Sequence, residues 1–186
     1  MNITNQLLAK YPIISDQVDT KELGALLREL EKLLQSGVTG NIVEFGCYVG
    51  TTSLFIRRLL DAYDFTGEFH VYDSFMGLPE KTQADNSATG EQFKAGELLA
   101  PRKTFIQNFK KAGLKLPIIH KGWFADLPLR TCRKVSSLHF LTAIFMSQLP
   151  IHFASATASF RKWRPLLLMI TPTKLCQAPR ERLMNG

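Results

Sequence analysis

Cysteine is scarce in this chain, and its few cysteines are not spaced as metal ligands. The sequence contains three, Cys47, Cys132 and Cys176, and no two of them form a CxxC pair. An odd number of widely separated cysteines argues against a disulfide framework, and the missing pairs argue against the common structural zinc sites. We therefore expect free thiols.

Long apolar runs are also missing. Residues 135–160 carry no charge, but they mix Ser, Thr, Gln, His and Pro with apolar side chains. A membrane span needs about 20 mainly apolar residues. Residues 1–10 lack the positively charged start and apolar stretch of a secretory signal. We therefore expect no membrane span, no signal peptide and a cytoplasmic location.

Acidic residues nearly disappear towards the C-terminus. Residues 1–128 contain 14 basic and 15 acidic residues, a net charge of −1, whereas residues 129–186 contain nine basic residues and one acid, Glu181. A folded domain usually carries both signs, so this basic tail differs from the rest of the chain. Its net charge of +8 is compatible with nucleic-acid binding. This is the weakest of the alternative functions, because the basic residues are scattered.

The N-terminal part contains a strand, a glycine turn and the start of a helix in direct succession. Residues 42–53 read IVEFGCYVGTTS. Gly46 and Gly50 would let the backbone approach a ligand, and the unpaired N–H groups of the helix start would face it. Asp73 ends a second apolar run, roughly 20 residues after the turn, where an acid can bind a ribose. The turn reads GxxxG and Glu44 precedes it, which suits S-adenosylmethionine better than a dinucleotide.

Two alternatives stay open for this pattern. The glycines also fit an ordinary strand-to-helix turn of another α/β domain, and Asp73 alone would be typical of a solvated acid at a strand end.

Hydrophobic periodicity predicts one domain of alternating helices and strands as far as about Asp126. This order is typical of an α/β fold with a doubly wound parallel sheet. After Leu129 the periodicity is lost, and we expect an irregular C-terminal tail. The predicted helices are 20–35, 52–63 and 103–112, and the predicted strands are 42–45, 69–72 and 117–120.

Three segments resemble the macrocin O-methyltransferase family. They are Val43–Gly50 (VEFGCYVG), Tyr72–Pro79 (YDSFMGLP) and His120–Asp126 (HKGWFAD). The DSFxGLP element is the specific one, since many methyltransferases share the glycine turn. The family comprises class I, S-adenosylmethionine-dependent, metal-assisted O-methyltransferases of sugars and related molecules. The resemblance covers residues 1 to about 128 and implies an incomplete Rossmann-like class I methyltransferase sheet that forms the S-adenosylmethionine-binding half of the domain.

The resemblance also implies which residues bind S-adenosylmethionine, and core packing is the alternative for the two aromatic residues of the third segment. It assigns no catalytic residue. The implied cofactor residues are Glu44, Phe45, Gly46, Gly50 and Thr52 around the methionine part, Asp73 at the ribose, Ser74 and Phe75 beside the ribose and adenine, and Gly122, Trp123 and Phe124 at the adenine.

Family members continue with a fourth strand ending in LDxDxY and a fifth ending in DDY, whose aspartates hold a divalent cation. Neither motif is present here. Both reappear when the tail is back-translated and each codon is started at its third base. His139–Phe153 can then read FLDSDFYESIADSL, and Leu168–Gly186 can read DDYxNEALPGAxRAVDEW.

Some positions of this displaced frame are compelled by the genetic code. Met169 followed by Ile170 can give only Asp, and Met184 followed by Asn185 can give only Glu. We therefore predict a frameshift between about residues 125 and 129, and a tail over 129–186 that is out of family and poorly ordered. A genuine basic tail is the alternative.

The missing motifs also affect the expected activity. Mg²⁺ prefers carboxylate ligands, and the tail offers only Glu181, so we predict no metal site. The predicted function is that of an S-adenosylmethionine-dependent O-methyltransferase by family, acting on a hydroxyl of a sugar-containing or other small molecule but inactive in this form. The alternative is a non-catalytic remnant that at most binds S-adenosylmethionine.

Overall fold

The computed structural model describes residues 2–37, 40–78 and 94–123, and the backbone of two short strands at 141–143 and 166–168. Phe124 lies outside the described residues, as does the predicted tail 129–186 apart from those two strands. The elements are α1 (Ile3–Lys10), α2 (Thr20–Gln35), β1 (Ile42–Phe45), α3 (Thr51–Ala62), β2 (Phe69–Asp73), α4 (Arg102–Lys111), β3 (Ile118–Lys121), β4 (Leu141–Ala143) and β5 (Leu166–Leu168).

Three parallel strands form the main sheet, in the order β1-β2-β3. Phe45 is paired with Tyr72 and Asp73 with Lys121, so the strands end at a common edge. Parallel neighbours need a crossover connection, and α3 and α4 lie in the connections between the strands. The α/β arrangement predicted from the sequence is therefore present, and it brings the turn after β1 next to the end of β2.

The core lies between this sheet and the helices. Leucines on one face of α2 are buried at helical spacing, and apolar residues of β1, β2, α3 and α4 join them in one cluster. Burying such side chains stabilises the fold by roughly 1.5–3 kcal/mol each. The largest fully buried side chains are Phe55, Phe105, Phe109, Leu23, Leu27, Leu30, Ile42, Ile56, Leu59 and Leu60.

Helix α1 was not predicted from the sequence, and it is held by a residue far along the chain. The side chain of Asn2 caps the helix by accepting a hydrogen bond from the N–H of Asn5. The carboxylate of Glu31, buried in α2, accepts hydrogen bonds from the N–H groups of Ile3 (2.9 Å) and Thr4 (3.3 Å). These bonds join the start of α1 to α2, and no local pattern announces them.

The two tail strands were also absent from the prediction of an irregular tail. β4 and β5 pair antiparallel, with Leu141 opposite Leu168. Cα atoms of β4 lie within 8 Å of Cα atoms of β1, although the two strands belong to different sheets. The remaining predicted elements differ from the structure by one residue at some ends, for example at α3, which begins at Thr51.

Candidate cofactor site

The turn between β1 and α3 depends on left-handed backbone conformations. Gly46, Tyr48 and Gly50 have φ values of 78°, 49° and 93°, a region that glycine adopts without steric cost. The Gly50 N–H donates to the Cys47 carbonyl at 2.7 Å, which closes the turn. A Cβ on Gly50 would lie 2.9 Å from the Phe105 ring of α4. Gly50 therefore permits both the turn and the close approach of α4.

Asp73 lies directly beneath this turn. Its Oδ2 accepts hydrogen bonds from the N–H groups of Cys47 (2.7 Å) and Tyr48 (3.2 Å), and its Oδ1 accepts one from the N–H of Phe75 (2.7 Å). The carboxylate is only part-buried, so it also faces outwards. The structure thus brings together the glycine turn and the acid that the sequence placed about 26 residues apart.

Glu44 is the second acid near the turn, and it is almost fully buried at 1% exposure. The Ser53 hydroxyl donates to its Oε2 at 2.5 Å. The pKa of Glu44 is raised to about 8, mainly by burial and in smaller part by the negative charge of Asp73, while the Ser53 hydrogen bond opposes the rise. Glu44 is therefore mainly protonated at neutral pH. Burial and these two acids also raise the pKa of the Cys47 thiol, so this free cysteine is neutral.

The start of α3 leaves backbone donors available. No side chain of the described residues caps this helix, which begins after Gly50. The first N–H groups of a helix have no partner within it and attract anionic groups. Thr52 lies in this first turn and is half-buried. A carboxylate such as that of a bound amino acid fits this position.

The segment after β2 forms a second tight turn. The Ser74 hydroxyl donates to the Gly77 carbonyl (3.2 Å) and accepts from the Met76 N–H (3.1 Å). Phe75 has a φ of 55°, is buried, and meets the Phe105 ring edge-on at 6.2 Å. Phe75 therefore contributes to the core as well as to the edge of the site.

The third predicted segment reaches the same edge of the sheet. The Gly122 N–H donates to the Asp73 carbonyl at 3.0 Å, and Trp123 is half-buried beside it. Phe45, at the end of β1, is buried and stacked on Tyr72 at 5.1 Å. The structure therefore brings together ten of the eleven predicted cofactor residues at one sheet edge, and Phe124 lies outside the described residues.

Sequence reasoning missed two contacts that hold the turn. The Thr51 hydroxyl donates to the Ser15 hydroxyl at 2.9 Å, and the side-chain amide of Asn108 donates to the Val49 carbonyl at 2.9 Å. Thr51 follows the glycine turn and could have been noted, whereas nothing in the sequence marks Ser15 or Asn108.

Grouped metal-ligand side chains and membrane-spanning helices are both absent from the described part of the chain. Within residues 2–37, 40–78 and 94–123, no three His, Cys, Asp or Glu side chains are grouped so that they could hold a metal ion. The residues at the sheet edge therefore do not fit a divalent cation. No described helix is long and apolar enough to cross a membrane.

A parallel α/β sheet with a glycine turn facing a strand-end carboxylate is the arrangement of a Rossmann-like fold, and this edge of the sheet is its candidate cofactor site. The profile of the family described as Macrocin-O-methyltransferase (TylF) matches residues 13–149, and this is most of the chain. The protein belongs to this family, so the family resemblance of the sequence is confirmed. The matched region extends past residue 128, where the resemblance seen in the sequence ends.

Two curated relatives are sugar O-methyltransferases by name. The chain is 34% identical over 116 residues to 8-demethyl-8-(2,3-dimethoxy-alpha-L-rhamnosyl)-tetracenomycin-C 4'-O-methyltransferase of Streptomyces olivaceus, covering 59% of this chain and 44% of the relative. It is 32% identical over 125 residues to Mycinamicin III 3''-O-methyltransferase of Micromonospora griseorubida, covering 62% and 49%. The chain spans about half the length of these relatives.

Solved structures of methyltransferases share the fold. The O-methyltransferase NovP superposes with a TM-score of 0.50 at 25% identity, covering 59% of this chain and 48% of NovP. The calicheamicin methyltransferase CalS11 superposes with a TM-score of 0.51 at 15% identity, covering 74% and 63%. These similarities confirm the predicted α/β class and the incomplete Rossmann-like sheet.

Proposed function

We propose that this protein binds S-adenosylmethionine at the common edge of β1, β2 and β3, as an O-methyltransferase of sugar-containing small molecules by descent. The observation that carries the proposal is the meeting of the Asp73 carboxylate with the N–H groups of the turn at Cys47 and Tyr48. A strand-end acid beside a glycine turn is the arrangement that accepts a ribose in a βαβ nucleotide site.

Each part of the site suits one part of this cofactor, which supplies a methyl group on a sulfonium. Asp73 accepts hydrogen bonds from the ribose hydroxyls, and the uncapped first turn of α3, with Thr52, holds the carboxylate of the methionine part. Gly122 and Trp123 line the adenine. Glu44 lies beside the positively charged end and becomes its counter-charge once deprotonated.

The names of the two curated relatives support one class of molecule as the acceptor of the methyl group. The two curated proteins are named for methylation of sugars on larger molecules, and the family is that of macrocin O-methyltransferase. We assign to this chain a hydroxyl of a sugar-containing small molecule as the acceptor.

The metal-assisted step is a separate matter. A hard divalent cation needs several oxygen ligands, and residues 129–186 contain Glu181 as their one acid. The donor set does not fit the cation that assists family members. We therefore propose that the 186-residue chain binds the cofactor but does not transfer its methyl group.

Calorimetry with S-adenosylhomocysteine, the product form of the cofactor, tests the binding site. We expect binding by the full chain at up to millimolar ligand, and an affinity that falls about 10- to 100-fold in Asp73→Ala, because hydrogen bonds to a charged group are lost. Glu29→Ala is the control, since the side chain of Glu29 lies on α2 and pairs with Lys32, and this variant should bind as the parent does. Binding that survives Asp73→Ala would contradict this site.

A further inference from the structure

The linker between α1 and α2, residues 11–19, crosses the start of α3. Within it, the Ser15 hydroxyl accepts a hydrogen bond of 2.9 Å from the Thr51 hydroxyl. Thr51 is the first residue of α3 and is 3% exposed. An element outside the parallel sheet therefore contacts the helix end at which the methionine part of the cofactor is proposed to bind.

The linker is anchored on both sides of Ser15. The guanidinium of Arg58 in α3 lies 3.8 Å from the centre of the Tyr11 ring, a cation–π contact. Ile13 and Val18 pack against the hydrophobic core. These contacts hold Ser15 over α3, so the position of its hydroxyl is determined by the fold.

The bond to Ser15 decides where the Thr51 hydroxyl points. The cap position of α3 is Gly50, which has no side chain, and a threonine one residue further can otherwise turn its hydroxyl towards backbone groups of the first turn. In this structure the hydroxyl donates to Ser15, and no described side chain caps α3. The N–H groups of the first turn are therefore left available for a carboxylate.

We infer that Ser15 is a positioning residue for the amino-acid end of the cofactor. It holds the Thr51 hydroxyl away from the N–H groups that start α3, and so keeps them open for the carboxylate. This inference rests on the proposed cofactor site, and it adds the linker 11–19 to that site.

Two ligands that differ only in the amino-acid part give the test. S-adenosylhomocysteine has the carboxylate, whereas 5'-methylthioadenosine has the same nucleoside and lacks it. In the full chain, we expect Ser15→Ala to weaken S-adenosylhomocysteine about 5-fold, the effect of one net hydrogen bond. The affinity for 5'-methylthioadenosine should not change. A merely structural role would lower both affinities together.

Three further variants sharpen the test. Ser15→Thr keeps the acceptor oxygen and should restore the affinity. Thr51→Val removes the hydroxyl that Ser15 holds away, so this variant should bind S-adenosylhomocysteine as the parent does, and adding Ser15→Ala to it should cost nothing, because Ser15 acts only through that hydroxyl. Gln17→Ala is the matched control, since the side chain of Gln17 is exposed in the same linker and contacts only Asp16 among the hydrogen bonds of the described residues.

The possible failures are distinct. Equal losses for the two ligands, no loss in Ser15→Ala, or an undiminished effect of Ser15→Ala in the Thr51→Val background would overturn the role of Ser15 while leaving the cofactor site intact. A parent chain that binds neither ligand would overturn the proposed function and, with it, this inference. If both ligands bind, and their binding responds to Asp73→Ala but not to Ser15→Ala, the proposed function is retained and the role of Ser15 is rejected.

Discussion

Glu44 ends β1 in an environment that disfavours its charge. Glu44 is 1% exposed, and its carboxyl group accepts a hydrogen bond from the Ser53 hydroxyl. Burial is the largest cause of its raised pKa, and Asp73 adds to it. The acid is therefore mainly neutral at pH 7 and can release a proton when a cation binds nearby, which would make cofactor affinity depend on pH.

The same acid makes stability depend on pH. The pKa of Glu44 rises from 4.5 to about 8 on folding, so the native state binds more protons than the unfolded state between these values. The contribution of Glu44 to the free energy of unfolding is therefore full below pH 4.5 and is lost progressively as the pH rises to about 8. Glu44→Gln mimics the protonated form and should remove this loss.

Urea unfolding at several pH values measures this effect. One pKa unit corresponds to about 1.4 kcal/mol, so at pH 8.5 Glu44→Gln should exceed the parent in free energy of unfolding by at least about 2 kcal/mol. The difference should shrink towards pH 5. Glu29→Gln, a control at a half-exposed position that pairs with Lys32, should show no such change of the difference with pH. A constant difference across the pH range would mean that Glu44 is charged in the native state.

At the scale of elements, the glycine turn leads from β1 into α3 and also packs against α4. Gly50 combines a φ of 93° with a Cβ direction that meets the Phe105 ring. Phe105 also contacts Phe75 and Phe109. The aromatic core of α4 thus supports the turn and the segment after β2, both of which border the candidate site.

Gly50→Ala should therefore be more harmful than an alanine at another left-handed glycine. We expect a loss of about 2–4 kcal/mol in the free energy of unfolding, from backbone strain together with overpacking against Phe105. Gly113 has a φ of 66° and open space around its Cβ position, so Gly113→Ala should lose only the strain of about 1–2 kcal/mol. Equal losses in thermal or urea unfolding would show that Phe105 moves aside freely.

The elements that sequence analysis found and missed differ in the range of their contacts. β1, the glycine turn and α3 were predictable, because the apolar run 42–45 and the glycines after it are local signals. α1 was missed because Glu31, 28 residues away from Ile3, holds its first turn. Ser15 was missed for the same reason, since its partner Thr51 is 36 positions further along the chain.

At the scale of the whole molecule, the chain has two parts of different character. Residues 1–128 have a net charge of −1 and contain the three segments that resemble the family, whereas residues 129–186 carry a net charge of +8. The frameshift hypothesis accounts for this change, because the displaced frame supplies the missing acids, including the compelled Asp from Met169 and Ile170. Sequencing the gene across codons 120–140 tests it directly. A continuous reading frame with no inserted or deleted base would favour a genuine basic tail.

The shortage of acids in residues 129–186 also affects methyl transfer. The LDxDxY and DDY carboxylates are absent from the 186-residue chain, and we propose that it therefore cannot hold the cation that orients and acidifies the acceptor hydroxyl in family members. We expect no metal-dependent turnover from this chain, and activity several orders of magnitude higher from a version with the frame restored after about Asp126. Both proteins should be assayed with labelled cofactor, Mg²⁺ and a panel of hydroxylated sugars. Turnover by the 186-residue chain that is abolished by EDTA would mean that its tail builds a metal site, and the frameshift hypothesis would then be rejected.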